Sequence, residues 1–211
     1  MKNNQRSESV AKRWNGVPAT IYYMLGAAEA KEIDRLERPE ILSYLPSFKD
    51  KTVLDLAAGT GRFTAEFAKE AKHVVTADIS STQIEENKIL NASSPNIEYV
   101  CIDAMDMDFP AETFDLIFVS WLFMYLEDSE IDFLVPKLTS WLKPGGTLFF
   151  RESCAARRRL STRPDYFAIY RGLSEYPAFF QKSLKLQKWG SVAAFEEVMS
   201  DPFRCYWIYQ K

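Results

Sequence analysis

The chain is expected to fold as a doubly wound α/β domain. Its seven-stranded sheet is mostly parallel, with an antiparallel last strand and a helical N-terminal lid. Three features of the sequence predict this. Residues 52–64, TVLDLAAGTGRFT, read as a short apolar strand that breaks at a glycine turn and passes into a helix. Apolar strand-like runs then alternate with helix-like stretches as far as residue 150, which implies parallel strands joined by right-handed crossovers. After residue 151 the rhythm changes, and two late strand candidates lie close enough to close the sheet edge as an antiparallel pair.

Taken in order, the first 13 residues are polar and basic and read as a loose tail. Gly16 and Pro18 exclude a regular helix over residues 14–18. Ile21 to Leu25 suits a short helix ended by Gly26. Ile33, Leu36, Ile41, Leu42 and Leu45 have helical spacing, interrupted at Pro39 and closed by Pro46; residues 1–46 thus form a tail and lid able to cap a cleft. The core, 47–211, starts with a strand at 52–57 and a helix at 62–71. A strand from Val74 to Asp78 follows, opened by His73, and then a helix capped by Ser80 or Ser81 and running to Leu90. Strands are expected at 97–102 and 114–120, the second apolar throughout and so buried on both faces. A helix capped by Asp128 and a strand at 147–150 complete the parallel part. An Arg-rich loop from Arg151 and an aromatic stretch to residue 181 form a substrate-covering insertion, about 155–181. Strands near 183–190 and 203–210 flank a helix at 192–199. One domain spans 1–211, with no repeat or linker.

Composition narrows the function. At 211 residues, 47 % hydrophobic and with a net charge of −3, the chain has neither the basic excess of a nucleic-acid binder nor an apolar run long enough to span a bilayer. The three cysteines lie in apolar contexts and read as buried free thiols of a reducing, cytoplasmic compartment. One histidine and no CxxC pair argue against a metal site, and His73 reads as a strand-edge residue.

In an open parallel sheet, ligands bind beyond the carboxyl ends of the strands, which directs attention to Asp55 to Gly61, Asp78, Asp103, Ser120–Trp121 and Arg151 to Ser153. Gly59 and Gly61 allow a tight turn, and Asp78, 17 residues after Gly61, can hold the ribose hydroxyls of an adenosine-containing cofactor. Asp103 can accept from an adenine amino group, with Ala104 and Met105 lining the ring. As alternatives, Asp78 is a turn residue before a helix and Asp103 a loop aspartate. The turn reads AAGTG rather than GxGxxG, which disfavours a nicotinamide dehydrogenase.

This order of features resembles class I methyltransferases that use S-adenosylmethionine. ERPEILSYLP (37–46), GTGRFT (59–64), SWLFMYL (120–126), LKPGGTLFFRESC (142–154) and CYWIYQK (205–211) resemble the phosphoethanolamine N-methyltransferases of plants and nematodes. The resemblance implies successive methylation of an ethanolamine-phosphate nitrogen towards phosphocholine. The expected partner is a small-molecule amine, and a monomer is expected. The resemblance implies cofactor contacts from Ala57, Gly59, Gly61, Arg62, Asp78, Asp103, Ala104 and Ser120; Trp14, Asp55, Ile79 and Met105 are further expected contacts. On the substrate side it implies Trp121, Arg151, Tyr166, Tyr170 and Arg171. Tyr125, and next Tyr22 or Tyr23 of the lid, are the candidates for orienting the nitrogen, because no histidine is at hand; a core role is the alternative for Tyr125. Against the family pattern, Ala57 replaces the first glycine of the turn, Ser120 an asparagine, and Arg163-Pro164-Asp165-Tyr166-Phe167 a longer phosphate-binding segment. RWNGVPATIYYMLG (13–26) also resembles the lid of protein α-N-terminal methyltransferases, which stays as an alternative. So do a methyltransferase for another small amine and a cofactor-binding protein without transferase activity.

Overall fold

A computed structural model describes residues 3–163 and 166–211. Seven strands form one sheet: β1 (Thr52–Leu56), β2 (His73–Asp78), β3 (Ile97–Cys101), β4 (Phe114–Ser120), β5 (Leu142–Ser153), β8 (Lys185–Ser191) and β9 (Arg204–Gln210). Their order is β3-β2-β1-β4-β5-β9-β8. The strands from β3 to β5 are parallel, and β9 is antiparallel to both its neighbours. A two-stranded ribbon, β6 (Arg159–Leu160) with β7 (Ile169–Tyr170), stands apart from it.

Eight helices accompany the strands among the described residues: α1 (Asn4–Asn15), α2 (Ile21–Leu25), α3 (Ala30–Tyr44), α4 (Thr64–Ala68), α5 (Ser81–Leu90), α6 (Asp128–Trp141), α7 (Glu175–Phe180) and α8 (Ala193–Met199). None is long and apolar enough to cross a membrane. One sheet face packs against α6 and α7, where Ile131, Leu134, Leu138 and Phe180 meet Phe150, Trp207 and Tyr209. The other face packs against α3, α4 and α8 through Ile33, Ile41, Phe67 and Phe195.

Several local expectations are corrected. The N-terminal tail is not loose: α1 spans it and includes Trp14 and Asn15, with Asn3 capping the first turn and Gly16 ending the helix. Its polar side chains find partners far along the chain, which a local pattern does not reveal. Pro39 does not interrupt α3, because Ile33, Glu37 and Ile41 are buried on either side of it and the helix is held by packing. The first core helix is regular only over α4, since the turn from residue 59 occupies its expected start. Glu127, not Asp128, caps α6, in a capping box with Glu130. The segment from Arg151 to Ser153 is strand rather than loop, since β5 continues between β4 and β9 with Ser120 opposite Arg151 and Ser153 opposite Arg204. Cys101 is exposed on the edge strand β3, whereas Cys154 and Cys205 are buried free thiols as expected.

Candidate active site

The glycine turn after β1 is built from backbone conformation. Ala57 has φ 59°, Gly59 φ 56° and Gly61 φ 78°, all in the left-handed region that disfavours a Cβ. Gly61 serves packing: a Cβ there would lie 2.1 Å from Asn87 Oδ1, on the buried face of α5. At Gly59 the first obstacle is the Met24 side chain of the lid, whose Cε would be 2.2 Å away. Met24 sulfur also accepts a hydrogen bond from Thr60 Oγ1 at 2.8 Å, so α2 is seated directly on the turn.

Asp78, at the end of β2, faces this turn. Its Oδ2 accepts from Gly59 N and its Oδ1 from Ser80 N, both at 2.9 Å. Burial raises its pKa, against these backbone donors, which lower it. Deeper in the strand, Asp55 is buried and accepts from Thr64 Oγ1 at 2.6 Å; desolvation pushes its carboxyl up to about 7. Asp103, after β3, accepts from Met105 N at 2.9 Å and lies 3.7 Å from the guanidinium of Arg6. Arg6 in turn donates to Glu130 at 2.9 Å, which docks α1 over the strand ends. At its far end, Asn15 Oδ1 accepts from Ser80 Oγ at 2.8 Å.

These elements enclose a cavity of about 180 Å³ at the carboxyl edge of the sheet. The sequence-derived candidates Ala57, Gly59, Asp78, Ile79, Asp103 and Ala104 line one end of it. Trp14, Tyr23, Ser120, Trp121, Tyr125, Tyr166 and Tyr170 line the rest. The Tyr125 and Tyr166 hydroxyls are 2.6 Å apart, and Trp14 meets the Tyr125 ring edge-on at 6.2 Å. Burial holds the Tyr125 phenol well above its ordinary pKa, so it is a neutral hydroxyl. The Arg13 guanidinium stacks 4.5 Å from the Tyr166 ring centre, and Arg159 lies 4.3 Å from that of Tyr170.

Six candidates do not line this cavity. Asp55 and Arg62 border a smaller recess beneath the turn. Arg62 is ion-paired with Asp34 and, at 2.8 Å, with Glu37. Arg151 is buried below Ser120, donating to Ser120 Oγ at 2.8 Å and pairing with Glu37, with its guanidinium 3.8 Å from the Trp121 ring centre. Arg171 is fully buried and donates to the carbonyls of Phe123 and Leu126, each at 2.7 Å, so it holds the 3-10 turn that carries Tyr125. Gly61 and Met105 are packing residues. Of the segment 163–167, Pro164 and Asp165 lie outside the described residues; Arg163 and Tyr166 line the cavity.

Sequence reasoning missed Arg6, Val10 and Gln83 as lining residues, along with Arg204. Residues 6, 10, 13 and 14 share one helical face, a signal that the polar character of the segment obscured. His73 sits at the start of β2 beside Glu98, 3.3 Å away, on the sheet side far from these strand ends.

A methyltransferase domain family matches residues 53–146. A Triticum aestivum phosphoethanolamine N-methyltransferase is 37 % identical over 205 residues, covering 91 % of this chain and 41 % of that protein. Arabidopsis thaliana phosphoethanolamine N-methyltransferase 1 is 34 % identical over 205 residues, with coverage of 91 % and 42 %. Among solved structures, Haemonchus contortus phosphoethanolamine N-methyltransferase 1, determined with phosphoethanolamine and S-adenosylhomocysteine, superposes with a TM-score of 0.89 at 27 % identity, over all of this chain and 50 % of that one. A Leishmania major methyltransferase with a TM-score of 0.83 at 23 % identity shows likeness of fold alone. The chain spans about two fifths to half the length of these phosphoethanolamine N-methyltransferases. Its fold is that of the class I, Rossmann-like methyltransferases, and over that span it is homologous to the phosphoethanolamine N-methyltransferases.

Proposed function

We propose that the chain is an S-adenosylmethionine-dependent N-methyltransferase that methylates the amine of phosphoethanolamine, or of a closely related small phospho-base, towards phosphocholine. One observation carries this proposal: a single cavity joins an end suited to a nucleoside, at Gly59, Asp78 and Asp103, to an end walled by Arg13, Arg163, Tyr125, Tyr166 and Tyr170. The first set fits the cofactor. The Asp78 carboxylate accepts ribose hydroxyls, Ile79 and Ala104 offer apolar faces to the base, and Asp103 accepts from its amino group. When bound, the cofactor supplies an electrophilic methyl group.

The chain's own residues then align and desolvate the amine. An alkylammonium has a pKa of about 10 by analogy with lysine, so the nitrogen must give up a proton to solvent before it can attack, a loss that desolvation in the cavity favours. No described histidine faces the cavity. The neutral Tyr125 hydroxyl, paired with Tyr166, orients the amine, and Tyr23 closes the mouth from the lid. Arg13 and Arg163 present guanidinium forks that suit a phosphate. The rings of Trp14, Trp121 and Tyr166 favour the product as its nitrogen becomes a methylated cation. A monomer is the proposed working unit. Three free thiols fit a reducing compartment such as the cytoplasm.

Methyl transfer from labelled S-adenosylmethionine to phosphoethanolamine, its mono- and dimethyl forms, unphosphorylated amines and Pro-Lys peptides tests the proposal. Transfer to one or more of the phospho-bases is expected. Turnover of unphosphorylated amines or peptides alone refutes the phospho-base assignment. Binding of S-adenosylhomocysteine without turnover of any acceptor refutes the enzymatic one.

A further inference from the structure

Ser80 and Gln83 have the spacing of a capping box at the start of α5. In such a box the serine hydroxyl accepts from the third helical N–H, and the glutamine side chain returns to the backbone N–H of the serine. Glu127 and Glu130 form both bonds at the start of α6 in this same chain. At α5 only the first bond forms: Ser80 Oγ accepts from Gln83 N at 3.2 Å. The N–H of Ser80 donates instead to Asp78 Oδ1, at 2.9 Å. Asp78 therefore takes the donor that Gln83 would otherwise satisfy.

The displaced carboxamide is not in solvent. Gln83 is 1 % exposed, lines the cavity, and has no hydrogen-bond partner at Oε1 or Nε2 among the described residues. Burying a carboxamide in this way is unfavourable unless something else bonds to it. Its Oε1 stands 3.8 Å from the position a Cβ on Gly59 would take, and Gly59 N donates to Asp78 Oδ2. Gln83, Gly59 and Asp78 thus form one polar wall.

We infer that Gln83 is a ligand-binding residue that completes, with Asp78, the site for the ribose diol of an adenine nucleoside. The inference rests on the cofactor assignment proposed above. A carboxylate only accepts hydrogen bonds. A ribose hydroxyl that donates to Asp78 keeps lone pairs that need a donor once water is excluded, and Gln83 Nε2 is that donor. Its Oε1 can accept from the second hydroxyl.

Calorimetric titration of the full chain with S-adenosylhomocysteine and with 5′-methylthioadenosine, which lacks the amino-acid tail, tests this in wild type, Gln83→Met and Gln83→Leu. Melting temperatures of the ligand-free proteins are measured alongside. Both variants are expected to bind both ligands about tenfold more weakly, the loss of one neutral hydrogen bond. Their ligand-free melting temperatures should equal or exceed that of wild type, because two unpartnered buried atoms are gone. Unchanged Kd values in the variants, with wild type binding, overturn this inference alone. A fall in ligand-free melting temperature with unchanged Kd marks Gln83 as a packing residue. Weaker binding of S-adenosylhomocysteine with 5′-methylthioadenosine unaffected moves Gln83 to the amino-acid tail and overturns the ribose assignment. Failure of wild type to bind either ligand overturns the cofactor assignment and this inference with it.

Discussion

Glu37 occupies a position where the helical stripe of α3, Ala30, Ile33 and Ile41, would call for an apolar side chain. It is fully buried and is the shared partner of two buried arginines. Its Oε1 accepts from Arg62 at 2.8 Å and its Oε2 from Arg151. Asp34 balances the second guanidinium through Arg62. Desolvation lowers the Arg151 pKa, and the charge of Glu37 is the largest effect opposing it. Glu37→Gln keeps the shape and removes that charge, leaving an uncompensated buried cation. Breaking one partner of a buried ion pair costs about 3–5 kcal/mol. For a chain of this size that corresponds to a fall in Tm of roughly 6–20 °C. Thermal unfolding followed by circular dichroism, at 0.05 and 0.5 M NaCl, is the assay. The loss should be nearly independent of salt, because the pair is shielded from solvent. Glu32→Gln is the control: it breaks an exposed pair with Arg35 and should leave Tm unchanged. A Glu37→Gln protein within about 1 kcal/mol of wild type would refute the view that this triad anchors the lid helix to the sheet.

Four further outcomes are expected. Tyr125→Phe should lower kcat at least tenfold with little change in Tm. Tyr166→Phe should do the same, and the double variant should be no worse than either, because the two hydroxyls share one hydrogen bond; full turnover by Tyr125→Phe removes its polar role. Ala57→Gly should stabilise the protein by about 0.5–1 kcal/mol in denaturant titration by relieving a left-handed backbone. Gly61→Ala should instead cause a severe loss of folded protein, since the Asn87 amide it would strike is itself bonded to Thr76 Oγ1 at 3.0 Å. Asp55, raised to about 7 by burial, holds its proton more tightly folded than unfolded. Its contribution to stability is therefore complete below about pH 4 and declines as pH rises to about 7, by at most about 4 kcal/mol. Denaturant titrations at pH 4 to 8 should show this slope in wild type and its loss in Asp55→Asn; parallel profiles would show that Asp55 does not titrate in that window.

Much of the fold could be read locally. β4 was expected at residues 114–120 and occupies Phe114–Ser120, since a short unbroken apolar run has few other places to go. α2 ends at Gly26, which adopts φ 64° as a left-handed cap. Asp78 and the glycine turn were legible because strand, turn and helix follow one another without interruption. The candidate site was legible in part. Strand-end residues were found by the rule that ligands lie there, but Arg151 and Arg171 were not distinguished as supports rather than walls. Both are arginines beside expected strand or lid residues, and only their burial and partners separate them from Arg13 and Arg163.

The sequence by itself determined the order of the parallel strands and of the helices between them, the glycine turn, the acidic end of β2 and the absence of a histidine from the predicted site. These follow from backbone sterics and apolar periodicity, which act over a few residues. The tertiary structure alone decided how the cavity is closed and which polar groups face it. Asn3 meets Glu127 and Glu130, Asn15 meets Ser80, and Glu37 meets Arg151 across separations of 65 to 127 residues. Such pairs depend on which surfaces the packed helices bring together, and no local spacing encodes that. The same is true of Gln83: its spacing spells a cap, and only the neighbouring carboxylate of Asp78 turns it towards the cavity.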